Sequence, residues 1–249
     1  MTRYLLTIFL FFTSPILFGQ HFNSKYGQPI VVLIETDPWL MVIGSDVPTF
    51  ALYENGQIIY KRIINKKYKF FEVQNDTEKT QQIIKSLGIT DSLMKEKDFI
   101  NASSWTDQPT NILILNFDTI KQIMVYGNLR GSDKKGAREQ TPKDFLSVYD
   151  NIMKFNVNDA TEWLPDTIEV MATRYSYSPE KPIKWDNSWS DLKSPTTVKR
   201  SDDLYSIYLD KKYFESFVSL LKTLKEKQAV EINGEKYSLA YRLPFPNMR

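Results

Sequence analysis

Two Asn-Gly pairs, each between two runs of β-forming residues, constrain the fold of this chain more than any other feature of its sequence. They are Asn55-Gly56 and Asn233-Gly234, and the flanking runs cover residues 48–62 and 229–242. Asn and Gly tolerate the positive φ angles of a tight type I′ turn, so this dipeptide is the strongest short-range signal for a β-hairpin. The sequence therefore predicts antiparallel sheet at both places.

A third hairpin and three helices are indicated by weaker signals. Residues 111–117 and 120–126 form two apolar runs around Asp118-Thr119. Each helix is expected where an N-cap residue precedes apolar residues at 3.6-residue spacing, and Gly88 is expected to end the first helix. The three N-caps are Asp76, Thr141 and Asp210. Hairpins mixed with helices are typical of an α+β fold with a mainly antiparallel sheet.

The chain after its first residues is long enough for one large domain. Residues 20–249 are expected to form a single α+β domain, because a chain of about 230 residues buries roughly 70% of its unfolded surface. Residues 67–127 and 203–243 both place a strand and a helix before a hairpin. One interpretation is an internal duplication with sub-units 20–127 and 128–249. The alternative is that this order is simply common in α+β folds.

The first 19 residues have the layout of a secretory signal peptide. Arg3 gives a short positive segment, residues 5–18 are largely apolar, and Gly19 precedes the expected cleavage site. A membrane-spanning helix needs about 20 apolar residues, and Pro15 breaks helices. Cleavage is therefore preferred over a retained anchor. The mature protein is expected in the periplasm or outside the cell, with no integral membrane segment.

Charge and residue usage argue against several classes of protein. Cleavage removes Arg3, which leaves 31 of the 32 Lys and Arg residues against 30 Asp and Glu, and this balance argues against a nucleic-acid partner. The chain has no cysteine, which excludes disulfides, thiolate zinc sites and thiol catalysis. Its one histidine, His21, follows the cleavage site, so neither a Ser-His-Asp triad nor a histidine metal cluster is expected. No cofactor and no metal are predicted.

Carboxylate chemistry remains compatible with this composition. A glycoside hydrolase needs only two acids at a set separation, and Glu35 and Asp37 end the first apolar strand on the same side of the chain. Asp46 lies before the next strand. Glu35 and Asp37 are therefore the candidate catalytic pair. The alternative is a solvated strand end, since 30 acids provide many accidental pairs.

Two tryptophans lie in the most irregular part of the chain. Residues 174–203 contain few aliphatic side chains and much Ser, Pro, Asp and Lys, and a connection of this length is usually functional or mobile. Trp185 and Trp189 are candidate binding residues for a sugar face or a protein partner, if their indoles are exposed. The alternative is that both indoles fold back over the sheet and hold the segment in place, because large aromatics are mostly buried.

Five basic residues lie between positions 130 and 143. They are Arg130, Lys134, Lys135, Arg138 and Lys143, with Gly131 and Gly136 among them. One interpretation is an anion-binding loop. The alternative is a solvated connection between a strand and a helix.

One segment resembles a known family. Residues 46–60 include Pro-Thr-Phe-Ala-Leu-Tyr-Glu-Asn-Gly-Gln-Ile-Ile-Tyr, which resembles the P-x-F-x-L-Y-x-x-G-x-V-I-Y hairpin of an uncharacterised family of exported bacterial proteins. Residues 234–246 look like the end of the same family, and the two segments cover little more than a tenth of the chain. The resemblance implies a bacterial exported protein and implies no activity.

These observations favour a non-catalytic binding or interaction protein of the bacterial cell envelope, whose partner would be an envelope protein or a glycan. The alternative is a carboxylate-dependent hydrolase that acts on envelope glycans, and a third interpretation is an immunity or inhibitor protein. Two acids in an aromatic-lined cleft, one of them with a raised pKa, would favour the hydrolase. A surface without a cleft would exclude it.

Overall fold

The structure, a computed structural model, describes residues 23–42, 45–65, 67–130 and 136–248. The predicted signal peptide at residues 1–19 lies outside the described residues, and so does His21. Within the described ranges, no helix combines the length and the apolar character that crossing a membrane requires.

In the described residues, the first sheet contains eight strands. They are β1 (Pro29–Glu35), β2 (Phe50–Tyr53), β3 (Gln57–Ile64), β4 (Lys67–Gln74), β5 (Phe99–Asn101), β6 (Thr110–Asn116), β7 (Ile120–Tyr126) and β8 (Thr161–Glu162). Their order across the sheet is β5-β7-β6-β1-β2-β3-β4-β8. All described neighbours run antiparallel except β5 and β7, which run parallel. Strand β1 is therefore central, and its side chains alternate between the two faces of the sheet.

The second sheet is formed by six strands of the described chain. They are β9 (Thr167–Arg174), β10 (Ile183–Lys184), β11 (Val198–Lys199), β12 (Leu204–Asp210), β13 (Val230–Ile232) and β14 (Glu235–Arg242). Their order is β10-β13-β14-β9-β12-β11, and β9 pairs antiparallel with both β12 and β14. The irregular segment that follows β9 contributes the two short edge strands, β10 and β11.

The same described ranges hold four α-helices, α1 (Thr77–Leu87), α2 (Asp91–Met94), α3 (Lys143–Lys154) and α4 (Phe214–Thr223). A 3₁₀ turn at Lys211–Tyr213 leads into α4. The carboxylate of Asp76 accepts a hydrogen bond from the backbone N–H of Lys79, and Gly88 ends α1 with a φ of 76°. Both ends of α1 are therefore as predicted.

The beginnings of α3 and α4 differ from the prediction. Helix α3 begins directly after Pro142, and no side chain of the described residues caps it. The hydroxyl of Thr141, the predicted cap, instead donates to the carbonyl oxygen of Ala137 at 2.8 Å. Asp210 accepts from the backbone N–H of Lys212 at 2.9 Å, so it caps the 3₁₀ turn rather than α4 itself.

Both Asn-Gly hairpins are present, but their turns differ. Asn233 and Gly234 have φ angles of 52° and 88°, which is the predicted type I′ geometry. At the other hairpin Gly56 has a φ of 82° and donates its N–H to the carbonyl oxygen of Tyr53, which gives a three-residue loop. We attribute the difference between the two turns to Asn75. It packs against the turn at Gly56 and donates from its backbone N–H and its side-chain amide to the Gly56 carbonyl oxygen.

Two apolar cores lie on the two faces of the first sheet. The first core joins one face to α1, α2 and α3, and the second joins the other face to the second sheet, α4 and residues 243–248. Residues of β1 divide between them: Val31 and Leu33 belong to the first core, and Val32 belongs to the second. The predicted α+β fold, with mainly antiparallel pairing and three main helices, is confirmed, with the hairpins divided between two sheets.

The division of the chain between the two sheets does not fall at residue 127. Helix α3, which follows this position, packs in the first core, and β8 pairs with β4. The strand-helix-hairpin order of residues 203–243 is present as β12, α4, β13 and β14. A single domain and an internal duplication both stay predictions.

The segment after β14 is tied to residues that precede β1. The side-chain oxygen of Asn247 accepts from the backbone N–H of Asn23 at 2.7 Å. Its amide donates to the carbonyl oxygens of Asn23 and Gly27 at 2.9 and 2.6 Å. The hydroxyl of Tyr53 donates to the carbonyl oxygen of Pro246 at 3.0 Å. This closing segment is thereby held against β2.

Candidate functional site

An open cavity of about 890 Å³ is lined by residues from both sheets. Its walls come from the end of β1 and the loop after it, from the outer half of the β3–β4 hairpin, and from β9, β14 and the start of α4. The volume lies in the range of roughly 300–1,000 Å³ that is typical of small-molecule sites. The lining includes Glu35, Asp37, Trp39, Met41, Asp46, Lys61, Tyr68, Phe70, Arg130 and Trp163.

The cavity forms where the strands of the first sheet end at different levels. Strand β1 ends at Glu35 and β2 begins at Phe50, so residues 36–49 form a loop that leaves the sheet. Strand β3 pairs with β2 as far as Tyr60, whereas its pairing with β4 continues to Ile64. The outer part of the β3–β4 hairpin is therefore a two-stranded ribbon, and it forms one wall of the cavity.

The carboxylate of Glu35 accepts four hydrogen bonds from described residues. Arg130 donates from Nε at 2.8 Å and from Nη2 at 2.6 Å, which makes a two-point ion pair. The hydroxyls of Tyr149 and Thr49 donate at 2.8 and 2.9 Å. The Glu35 side chain is only 9% exposed, so these bonds replace the water that burial removes.

This bonding determines the charge state of Glu35. Burial by itself raises the pKa of the Glu35 carboxyl, but the hydrogen bonds and charge of Arg130, together with the hydroxyls of Tyr149 and Thr49, outweigh burial and hold the pKa below its ordinary value of 4.5. A carboxylate that stays ionised and has its oxygens occupied is a poor proton donor and a poor nucleophile. The geometry therefore gives Glu35 the role of fixing the end of β1.

Asp37 and Asp46 lie close together on the loop between β1 and β2. The backbone N–H of Asp37 donates to Oδ1 of Asp46 at 2.7 Å, and Oδ1 of Asp37 accepts from the backbone N–H of Trp39 at 2.9 Å. Burial raises the pKa of Asp46 and the charge of Asp37 adds to the rise, whereas backbone hydrogen bonds and Lys61 oppose it. Asp46 therefore keeps its proton to a higher pH than an exposed aspartic acid.

Lys61 brings a positive charge into the cavity from β3. Its ammonium nitrogen lies 5.0 Å from the centre of the Tyr68 ring, and no side chain or carbonyl group of the described chain forms an ion pair or hydrogen bond with it. Burial lowers the pKa of Lys61, and the charges of Glu35 and Asp46 oppose that shift. Lys61 is thus a partly buried ammonium with acids nearby and none bonded to it among the described residues.

Exposed aromatic side chains stand at the mouth of the cavity. Trp39 is 76% exposed and Tyr68 is 62% exposed, and both line the cavity together with the exposed Met41. Further inside, the buried Trp163 packs edge-on against Phe70 with 6.1 Å between ring centres. Large apolar side chains that are exposed around one cavity make this surface the candidate binding site.

Trp185 and Trp189, the binding residues predicted from the irregular segment, do not line this cavity. They are 6% and 7% exposed, and their rings meet nearly at a right angle with 4.8 Å between centres. Both pack on Phe217 of α4 at 6.1 Å. This is the packing that the alternative interpretation predicts, in which the indoles hold the segment over the sheet. A binding role for them stays a prediction.

Four residues singled out from the sequence meet in the cavity, namely Glu35, Asp37, Asp46 and Arg130. Lys61 was not predicted as a site residue. It follows Ile59 by two positions on β3, so its side chain lies on the same face of the strand as that core residue. A charged residue at a core-facing strand position was the sequence signal that could have identified it. For Arg130 and its basic neighbours the sequence left open an anion-binding loop and a solvated connection, and the Arg130 guanidinium binds the carboxylate of Glu35.

Comparisons with protein-family models, with curated protein sequences and with solved structures found no match to this chain. The resemblance of residues 46–60 to an exported bacterial family therefore stays a prediction. In the part of the chain that the structure describes, no three acidic or histidine side chains lie close enough together to hold a metal ion. The cavity itself is thus the basis for any inference about function.

Proposed function

We propose that this protein binds a saccharide in the cavity without catalysis, as an exported protein of the bacterial cell envelope. The inference that the ligand is a saccharide rests on one observation. The exposed side chains of Trp39 and Tyr68 line a cavity that is also lined by Asp37 and Asp46. Export and bacterial origin are supported by the sequence alone, through its first 19 residues and the family resemblance.

A saccharide has two kinds of surface, and the cavity offers a partner for each. The C–H groups on one face of a sugar ring pack on the electron-rich face of an aromatic ring, which Trp39 and Tyr68 provide. Sugar hydroxyls donate to carboxylates in charge-assisted hydrogen bonds. Asp37 and Asp46 each accept a backbone N–H at Oδ1, and no side chain of the described residues donates to either carboxylate.

The part of the cavity wall at the end of β1 is held by hydrogen bonds within the protein. Glu35 joins β1 to Arg130 and to Tyr149 of α3 through hydrogen bonds of 2.6 to 2.8 Å. A wall that is already ordered loses little conformational freedom on binding, so more of the contact energy contributes to affinity.

A glycan array followed by calorimetric titration tests the proposal. Trp39→Ala and Tyr68→Ala should each lower the affinity for the bound glycan by about twofold to tenfold, because an aromatic contact contributes about 0.5–1.5 kcal/mol. The matched control is Trp105→Ala, since Trp105 is 77% exposed and does not line the cavity. The proposal is wrong if no glycan binds, or if the control loses as much affinity as the two cavity variants.

A second candidate function, carboxylate-dependent hydrolysis of envelope glycans, is favoured by one observation. The pKa of Asp46 is raised by burial beside the charge of Asp37, in the same aromatic-lined cavity. One protonated acid and one carboxylate are the pair that a glycosidase uses. In this function Asp46 would protonate the leaving oxygen and Asp37 would act as base or nucleophile, in place of Glu35.

Release of reducing ends from the glycans that bind distinguishes the two functions. A hydrolase should release them, and Asp46→Asn should abolish the release while leaving glycan binding within a few-fold of the wild type. If the wild-type protein binds a glycan and releases no reducing ends, the hydrolase is excluded and the binding function stands.

A further inference from the structure

We propose that the saccharide is acidic and that its carboxylate binds the ammonium group of Lys61. This inference rests on the proposed saccharide binding and adds the chemical class of the ligand. It follows from which of the cationic side chains that line the cavity already form ion pairs.

Most cations of the cavity already have an anionic partner. Four cationic side chains of the described chain line it, namely Lys61, Lys69, Arg130 and Arg242. Three of them form ion pairs, which are Arg130–Glu35 at 2.6 Å, Lys69–Glu162 at 2.7 Å and Arg242–Glu169 at 2.7 Å. Of these four cations, only Lys61 forms no ion pair with a described residue. Lys61 is therefore the cation that is available to a ligand.

The position of Lys61 makes an incoming anion favourable. A partly buried ammonium has lost some of its water, and this loss costs free energy unless a partner replaces it. The contact with the Tyr68 ring, whose centre lies 5.0 Å from the ammonium nitrogen, replaces only part of the lost interaction with water. An anion that enters the cavity interacts with Lys61 more strongly than it would in bulk water, because the effective dielectric constant near the protein is lower.

The acids near Lys61 limit the charge that the anion can carry. Glu35, Asp46 and Asp37 are close enough to influence the titration of Lys61, so they repel a doubly charged phosphate more than a singly charged group. The forked guanidinium that suits phosphate belongs to Arg130, and it is occupied by Glu35. A single ammonium next to acids fits one carboxylate, such as that of a uronic, muramic or sialic acid.

The test uses an array of oligosaccharides that contain uronic, N-acetylmuramic or sialic acid, each printed beside its carboxyl methyl ester. The wild-type protein should bind at least one acid form about tenfold more tightly than its ester. Lys61→Gln should remove this preference by weakening the acid form while the affinity for the ester stays within about twofold. Lys61→Arg should keep the preference, since it keeps the charge.

Lys69→Gln is the matched control, because Lys69 lines the same cavity but its ammonium is paired with Glu162. It should keep the preference for the acid form. Equal binding of acids and esters by the wild-type protein would overturn the acidic class and leave saccharide binding in place. A preference that survives in Lys61→Gln would overturn the role of Lys61. Binding of no saccharide would overturn both proposals. Unchanged urea unfolding midpoints establish that each variant is folded.

Discussion

The Arg130→Met substitution removes the charged partner of Glu35 and keeps a long side chain in its place. The Glu35 carboxylate, whose side chain is 9% exposed in the wild type, would lose two of its four hydrogen bonds, those of 2.8 and 2.6 Å. Breaking a buried ion pair from one side costs about 3–5 kcal/mol. The Arg130 side chain is 38% exposed, so water screens part of the interaction, and we expect a loss of about 2–3 kcal/mol in the free energy of unfolding at pH 7.

The destabilisation of the Arg130→Met variant should decrease as the pH falls, because the pKa of Glu35 differs between the variant and the wild type. In the wild-type protein the folded-state pKa of Glu35 is below 4.5, so its contribution to stability is fully present above the unfolded-state pKa and is lost as the pH falls through the folded-state pKa. Without Arg130, the pKa of Glu35 in the folded variant moves upward, because burial, the largest influence, is then opposed only by the hydroxyls of Tyr149 and Thr49. The variant therefore takes up its proton at a higher pH than the wild type, and the difference in the free energy of unfolding narrows as the pH falls through this pKa and then below 4.5, through the wild-type pKa.

Urea unfolding followed by tryptophan fluorescence at several pH values measures both effects. The same substitution in a Glu35→Gln background should cost only about 1 kcal/mol, because no buried charge is left without a partner. A loss that does not change with pH, or an equal loss in both backgrounds, would refute this account of the ion pair.

Three further predictions concern the fold and the location of the protein. Trp185→Ala should lower the free energy of unfolding by about 3–5 kcal/mol because the indole is buried, whereas Trp105→Ala should change it by about 0.5 kcal/mol or less; equal urea midpoints would contradict the packing. Gly56→Ala should destabilise more than Gly234→Ala, since both residues have positive φ but an added Cβ at Gly56 meets a backbone carbonyl oxygen and at Gly234 meets open space; thermal unfolding compares them. N-terminal sequencing of protein recovered from an envelope or periplasmic fraction should begin near residue 20, and an intact Met1 would argue against cleavage.

The Asn233-Gly234 hairpin and both ends of α1 were predictable because the interactions that form them are local. Asn233-Gly234 forms its turn from its own backbone preferences, and Asp76 needs only the N–H of Lys79 three residues on. The turn at Gly56 was predicted less well because Asn75, 19 residues away, also bonds to it. Local rules therefore gave the fold class, and contacts with distant residues changed the details.

The candidate site was only partly predictable because its contacts span long stretches of chain. Glu35 meets Arg130 across 95 positions and Tyr149 across 114, and no local pattern reports such pairings. One signal was available. Glu35 follows Leu33 by two positions and Lys61 follows Ile59 by two, so both charges lie in phase with core residues. Charges at core-facing positions of strands indicated that something polar had to meet them.

The segment after β14, residues 243–248, also determines when the second core can be completed. Leu243 and Phe245 belong to the second core, and the ring of Phe245 packs against those of Phe70 and Trp163 with 5.6 and 5.0 Å between centres. A chain that is made from its N-terminus cannot complete this core until residues 243–248 have been added. Until then the aromatic rings on that side of the first sheet lack Phe245, so the second core cannot close before this segment joins it, whereas the first core, which contains no residue of the segment, does not wait for it.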